Sequence, residues 1–148
     1  MRQTVESTSN MESANLILDK RELKKTPVRL DVLNALIDSS SALSQNEIEE
    51  KFEKSFDRIT LYRTLKSFEE KGIVHRIYNS FGEAKYAICH DSCEEHAHTD
   101  HHLHFNCLRC KRTFCINEVH VPHFHLPKGM QALHYNFSVE GICDKCKI

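Results

Sequence analysis

The second half of the chain carries two cysteine pairs, Cys107-Leu108-Arg109-Cys110 and Cys143-Asp144-Lys145-Cys146, each with two residues between its thiols. This spacing lets both sulfurs of a turn reach one ion, and two such turns complete a tetrahedron. Zinc suits four thiolates because it has no redox chemistry and favours closed tetrahedral structural sites. Four buried free cysteines would have no need of this spacing, and a redox motif would need only one pair. The last strands of the chain are therefore expected to close around a structural zinc at Cys107, Cys110, Cys143 and Cys146, in a domain with too little core to fold alone.

Composition supports a metal protein. There are 7 Cys, an odd number that does not suit a fully paired disulfide framework. Of the 11 His, nine fall between positions 90 and 125. Basic and acidic residues balance at 20 and 21, which excludes a polybasic binder and a solvated acidic tail. Any nucleic acid must be met through a local basic face. Apolar residues make up 40% of the 148, but no run approaches the roughly 20 apolar residues of a membrane span. Residues 1–13 are polar and lack the apolar stretch of a signal peptide. The expectation is a cytoplasmic protein with reduced thiols and no membrane partner.

Residues 14–88 read as four helical segments followed by a hairpin. Thr26-Pro27 supplies a cap and a first-turn proline for a helix bearing Leu30, Leu33, Leu36 and Ile37. Ser44-Gln45-Asn46-Glu47 is a capping box. Asp57 is placed to cap a fourth helix with Leu61, Leu65 and Phe68 on one side and Gly72 as its stop. Residues 73–78 and 84–89 then form two strands around Phe81-Gly82, the pattern of a winged helix-turn-helix. Further strands are expected at 103–108, 113–116 and 136–139.

Opposite the apolar side of the fourth helix, Arg58, Tyr62 and Lys66 recur every four residues, with Arg63 beside them. Such groups contact phosphates, base edges and thymine methyls. Spacing alone leaves a solvated helix face equally open. Arg29, within a basic cluster that includes Lys24 and Lys25, is placed to grip flanking phosphates.

On a strand, His102 and His104 point to the same face and can meet one ion. His75 and Cys89 are equidistant from Gly82, so the hairpin should set them opposite each other, although a one-residue slip would separate their faces. Physics alone reads this pair as a surface histidine and a small buried hydrophobe. Cys115, between Phe114 and Ile116, reads as a packed strand residue. Glu118, His120, His123 and His125 offer a further site, against the alternative of a polar surface around Pro122.

Thr26-Pro-Val-Arg29, Thr60-Leu-Tyr62-Arg63-Thr-Leu65, Gly72-Ile-Val, His101-His-Leu-His104 and both cysteine pairs occur in the order and spacing of the ferric uptake regulator family. The chain resembles that family over about residues 16–146. The resemblance implies a homodimeric, metal-responsive repressor that binds operator DNA. It also implies an α+β fold, with an N-terminal winged helix and a small zinc-clamped α/β dimerisation domain. Tyr62 and Arg63 match its recognition helix, and the cysteine pairs match its structural zinc site. The zinc uptake branch is most similar, placing ligands where His75, Cys89, His102 and His104 stand. The iron branch has Glu at Ala87, Asp at Leu103 and a late His at Tyr135, one position from His134.

These readings divide the chain into a disordered tail at 1–13, a DNA-binding domain at 14–89, a linker or metal loop at 90–100 and a dimerisation and metal-binding domain at 101–148. Zinc is the expected sensed metal, with iron or manganese as alternatives. In the long loop, Cys93, His96, His98 and His101 compete as ligands. A peroxide-responsive regulator and a zinc store or chaperone are the other functions considered. A zinc hydrolase is set aside, because neither HExxH nor the deaminase pattern occurs.

Overall fold

The computed structural model describes residues 13–53, 55–88, 102–122, 124–133 and 136–147, with only the backbone described at positions 117 and 120. Its first half holds four helices: α1 (13–20), α2 (Pro27–Asp38), α3 (Gln45–Lys51) and α4 (Arg58–Glu70). A three-stranded antiparallel sheet closes them, with β1 (Leu43–Ser44), β2 (Val74–Tyr78) and β3 (Ala84–Ile88) in the order β1-β3-β2. Leu18, Leu33, Ile48, Leu61, Leu65 and Phe68 are fully buried between helices and sheet.

Local sequence explains most of the boundaries. The Thr26 hydroxyl accepts the Arg29 N–H at 3.3 Å, and Pro27 opens α2. Ser44 and Glu47 form both halves of the capping box on α3, at 3.1 and 2.7 Å. α4 ends at Gly72, φ +72°, where the Ile73 N–H meets the Phe68 carbonyl at 2.8 Å and the Gly72 N–H meets that of Glu69 at 3.1 Å. One cap differs from expectation. Asp57 makes no side-chain bond to the backbone of α4; its carboxylate accepts the Thr60 hydroxyl at 3.4 Å instead.

The hairpin register also differs. His75 pairs with Ala87, not with Cys89. The turn is set by Asn79, whose side-chain oxygen accepts N–H groups from Phe81 and Glu83 at 3.0 and 2.9 Å. The ladder is therefore centred on residue 81 rather than on Gly82.

After α4 every described element is a strand. β4 (His102–Cys107) lies between antiparallel β5 (Thr113–His120) and parallel β6 (Ser138–Gly141). β5 outruns the expected end at 116, and the pairing shifts between His102 and Leu103 as at a β-bulge. The two sheets meet where the Ala42 N–H donates to the Thr113 carbonyl at 2.8 Å. The fold is α+β, and among the described residues the helices gather in the first half.

Candidate metal centres and nucleic-acid face

Among the described residues, two groups of His, Cys or acidic side chains are close enough to share an ion. The first is Cys107, Cys110, Cys143 and Cys146, whose sulfurs all lie within 4.8 Å of one another. The end of β4 supplies the first turn, which Lys111 closes with φ +66° and an N–H to the Cys107 carbonyl at 3.0 Å. The second follows β6, where the Lys147 N–H reaches the Cys143 carbonyl at 3.0 Å. Arg109 crosses between them, donating to the Cys146 carbonyl at 2.7 Å.

Cys107 and Cys143 are buried, and the Cys110 and Cys143 sulfurs are 3.9 Å apart. Backbone N–H groups, first that of Cys110 and then that of Cys143, pull the Cys107 thiol down to about 6. The Cys146 thiol is pushed up to about 12, chiefly by its hydrogen bond with Cys143 and then by desolvation. The turn geometry thus prepares one thiolate before any ion arrives. Four sulfurs at this spacing fit a tetrahedral zinc.

The second group joins the two sheets. His75 comes from β2, His102 and His104 from β4, and Cys115 from β5, with all donor atoms within 4.8 Å. The His102 and His104 rings are 4.6 Å apart between centroids, and His75 lies 5.1 and 5.6 Å from them. The Cys115 sulfur sits 3.7 Å from His75 Nε2. With zinc–nitrogen about 2.0 Å and zinc–sulfur about 2.3 Å, neighbouring donors of a tetrahedral site lie roughly 3.3–3.8 Å apart. The 3.7 Å pair falls within that range, and three imidazoles with a thiolate suit zinc by their chemistry. All three histidines are buried, while half-buried Cys115 also lines a cleft of about 300 Å³ with Ala87 and Ile88.

Cys115 was legible only as a packing residue in the linear sequence. The cysteine turn of residues 107–110 doubles as the β4–β5 hairpin, and its ladder pairs His104 with Cys115. Opposite residues share a face, which is the signal that would have found this ligand. Cys89, expected as the thiolate of this set, lies outside the described residues, as do Cys93, His96, His98, His101, His123 and His134. The side chain of His120 is also outside them. Glu118 and His125 are exposed and belong to neither group.

α4 buries Leu61, Thr64, Leu65 and Phe68 and exposes Arg58, Tyr62, Arg63 and Lys66 on the other side. Ile59, exposed by 59%, joins this face and had no signal in the charge pattern. Arg29 is half-buried and donates to the Lys24 carbonyl at 3.0 Å, so its guanidinium is partly engaged within the chain.

Residues 20–140 match the sequence profile of the ferric uptake regulator family. The chain belongs to the ferric uptake regulator family. It is a metal-responsive transcription regulator and not an enzyme. A ferric uptake regulation protein of Staphylococcus epidermidis is 30% identical over 143 residues, covering 93% of this chain and 97% of that one. Among solved structures, a zinc uptake regulator complexed with zinc and DNA shares the fold with a TM-score of 0.66 at 22% identity, over 94% of this chain and 93% of that one. The ferric uptake regulator of Helicobacter pylori does so with a TM-score of 0.56 at 21% identity, over 94% and 92%. Among the described residues no helix is long and apolar enough to cross a membrane.

Proposed function

We propose that the chain is a zinc-responsive, cytoplasmic, homodimeric repressor of metal-uptake genes that binds operator DNA through α4. The observation that carries this reading is the cluster of His75, His102, His104 and Cys115, contributed by both sheets. Zinc bound there would supply Lewis acidity toward one thiolate and three imidazoles, and so hold the sheets in one relation. His75 and Cys115 sit on opposite sides of the junction, 3.7 Å apart. Their approach fixes the winged-helix half against the half that carries the four-cysteine clamp. In a dimer, a fixed head presents the two α4 faces at a set separation, matching two half-sites of an operator. DNA then favours the metal by the same factor as the metal favours DNA.

Donor chemistry favours zinc over iron or manganese. A thiolate among imidazoles is a soft set, whereas iron and manganese sites draw on carboxylates. Ala87 and Leu103 remove two positions where the iron branch would supply them. A store or chaperone would have no use for the exposed Arg58, Tyr62, Arg63 and Lys66 on α4. The division at 14–89 and 101–148 belongs to this proposal, with 90–100 as the connecting segment. Cys89 is the rival thiolate.

The test is operator binding against buffered free zinc, ferrous iron and manganese, with metal content measured per chain. Activation by zinc at two zinc ions per chain is expected. Activation by iron alone under anaerobic conditions would overturn the zinc assignment, and metal uptake without DNA affinity would favour a store.

A further inference from the structure

Lys85 is a lysine with 1% of its side chain exposed, which is uncommon unless the ammonium is paired. Its Nζ donates to Glu47 Oε1 at 3.1 Å, to Glu47 Oε2 at 3.4 Å and to the Lys111 carbonyl at 3.1 Å. Glu47 lies in the capping box of α3, where its carboxylate also receives the Ser44 N–H at 2.7 Å. Lys111 closes the first cysteine turn. One run of hydrogen bonds therefore leads from the start of α3, through β3, to the backbone of the thiolate clamp.

We propose that Lys85 is a positioning residue that holds the DNA-reading half docked on the metal-binding half. The proposal rests on the reading that docking of these halves governs operator binding.

Two of the three bonds stay within the winged-helix half, and the third crosses to Lys111. Docking therefore exchanges water at Nζ for a fixed carbonyl, beside the Glu47 carboxylate. The crossing bond lies among other contacts between the halves. The Ala42 N–H reaches the Thr113 carbonyl, and Lys111 Nζ stands 3.9 Å over the ring of Phe81. The imidazole and thiolate cluster spans the same junction through His75 and Cys115 but shares no atom with Lys85. Each favours the docked arrangement independently, so losing one weakens what the other can hold. A hydrogen bond to a charged donor corresponds to about a tenfold to hundredfold change in such an equilibrium.

The Ala42 amide reports docking directly, because its hydrogen-bond acceptor belongs to the other half. Hydrogen exchange at that amide is measured in the full-length, zinc-loaded protein for wild type, Lys85→Met and Glu47→Gln. Gln retains the capping box, so this second variant weakens the charged pair while preserving α3. In Lys85→Met, Ala42 should exchange about tenfold or more faster, while Leu33 and Phe68 in α2 and α4 keep their protection. Affinity of the His75 cluster for zinc should fall in parallel, with the thiolate zinc retained. Glu47→Gln should act in the same direction with a smaller factor. Wild-type exchange at Ala42 in a folded Lys85→Met protein would overturn the proposal. If Lys85→Met loses protection throughout its helices, Glu47→Gln decides, and an unchanged Ala42 rate there overturns it. Zinc-independent operator binding by the wild type would instead sink the regulatory reading, leaving the Ala42 comparison to stand on its own.

Discussion

The two cysteine and histidine clusters differ in what they tie together. The thiolate cluster closes two turns of one sheet, at the ends of neighbouring strands β4 and β6. The imidazole cluster draws on both sheets, and only His75 comes from the winged-helix half. On the proposed reading, an ion in the first would hold a small sheet together, and an ion in the second would fix how two already folded pieces meet. The difference teaches that, on this reading, a metal cluster serves folding or switching according to whether its ligands share a folding unit.

The sharpest way to break this comparison is to remove a thiolate from the clamp. Structural zinc contributes about 10–16 kcal/mol in small sites, comparable with or greater than the roughly 5–15 kcal/mol that stabilises a whole domain. Cys143→Ser is therefore expected to lose its tightly held zinc and, with it, the dimer or the fold. Metal analysis and sedimentation check this. A folded, dimeric Cys143→Ser protein would place both clusters in the same class.

Removing the thiolate of the second cluster should be gentler on the fold and as severe for the response. Cys115→Ser should keep its clamp zinc and its helical signal, while zinc no longer switches operator binding in the range that controls wild type. Cys89→Ser serves as the paired measurement. Should it lose the switch while Cys115→Ser retains it, the thiolate belongs to Cys89.

Substitution on the reading face should leave both clusters untouched. Arg63→Ala and Tyr62→Ala each remove contacts of about 1–3 kcal/mol, a tenfold to hundredfold loss in operator affinity. Both variants should still bind two zinc ions per chain. Because a chain of net charge -1 must concentrate its phosphate contacts on one face, wild-type binding should also weaken steeply with salt. Wild-type affinity in both variants would mean that α4 is not the reader.

Sequence made the first cluster legible and the second only in part, for the same physical reason. The Ser44–Glu47 box, the Gly72 stop and the cysteine turns are all short-range patterns, and all are present in the fold. His102 and His104 follow from strand alternation. Cys115 required knowing that the cysteine turn is also a hairpin turn, and that its sheet packs beside β2. The placement of Cys89 opposite His75 rested on taking Gly82 as the centre of the wing, but the Asn79 side chain sets that centre at residue 81. A shift of the centre by one moves the pairing partner by two, so Ala87 faces His75. Register depends on a single turn side chain; ligand spacing within a turn does not.

The smallest expected effect concerns protons, and it tests the clamp without changing a residue. Cys107 is held at about 6, below its ordinary value of 9.0, so it is already largely a thiolate at neutral pH. Cys146, raised to about 12, stays protonated until an ion displaces its proton. In a zinc-free clamp that keeps its fold, stability from Cys107 is fully present above pH about 9 and is lost as pH falls through about 6. The raised Cys146 thiol works the other way, since above pH about 9 the unfolded chain releases a proton that the folded chain keeps until about 12. Zinc binds its cysteines as thiolates, and at pH 7 Cys107 is prepared in advance. Calorimetry of zinc binding to the clamp, repeated in buffers of different ionisation enthalpy, should therefore count fewer protons released at pH 7 than below pH 6. The difference should approach about one proton, the one that Cys107 gains as the pH falls below 6. The same count at both pH values would mean that the Cys110 and Cys143 N–H groups do not prepare Cys107 before the ion arrives.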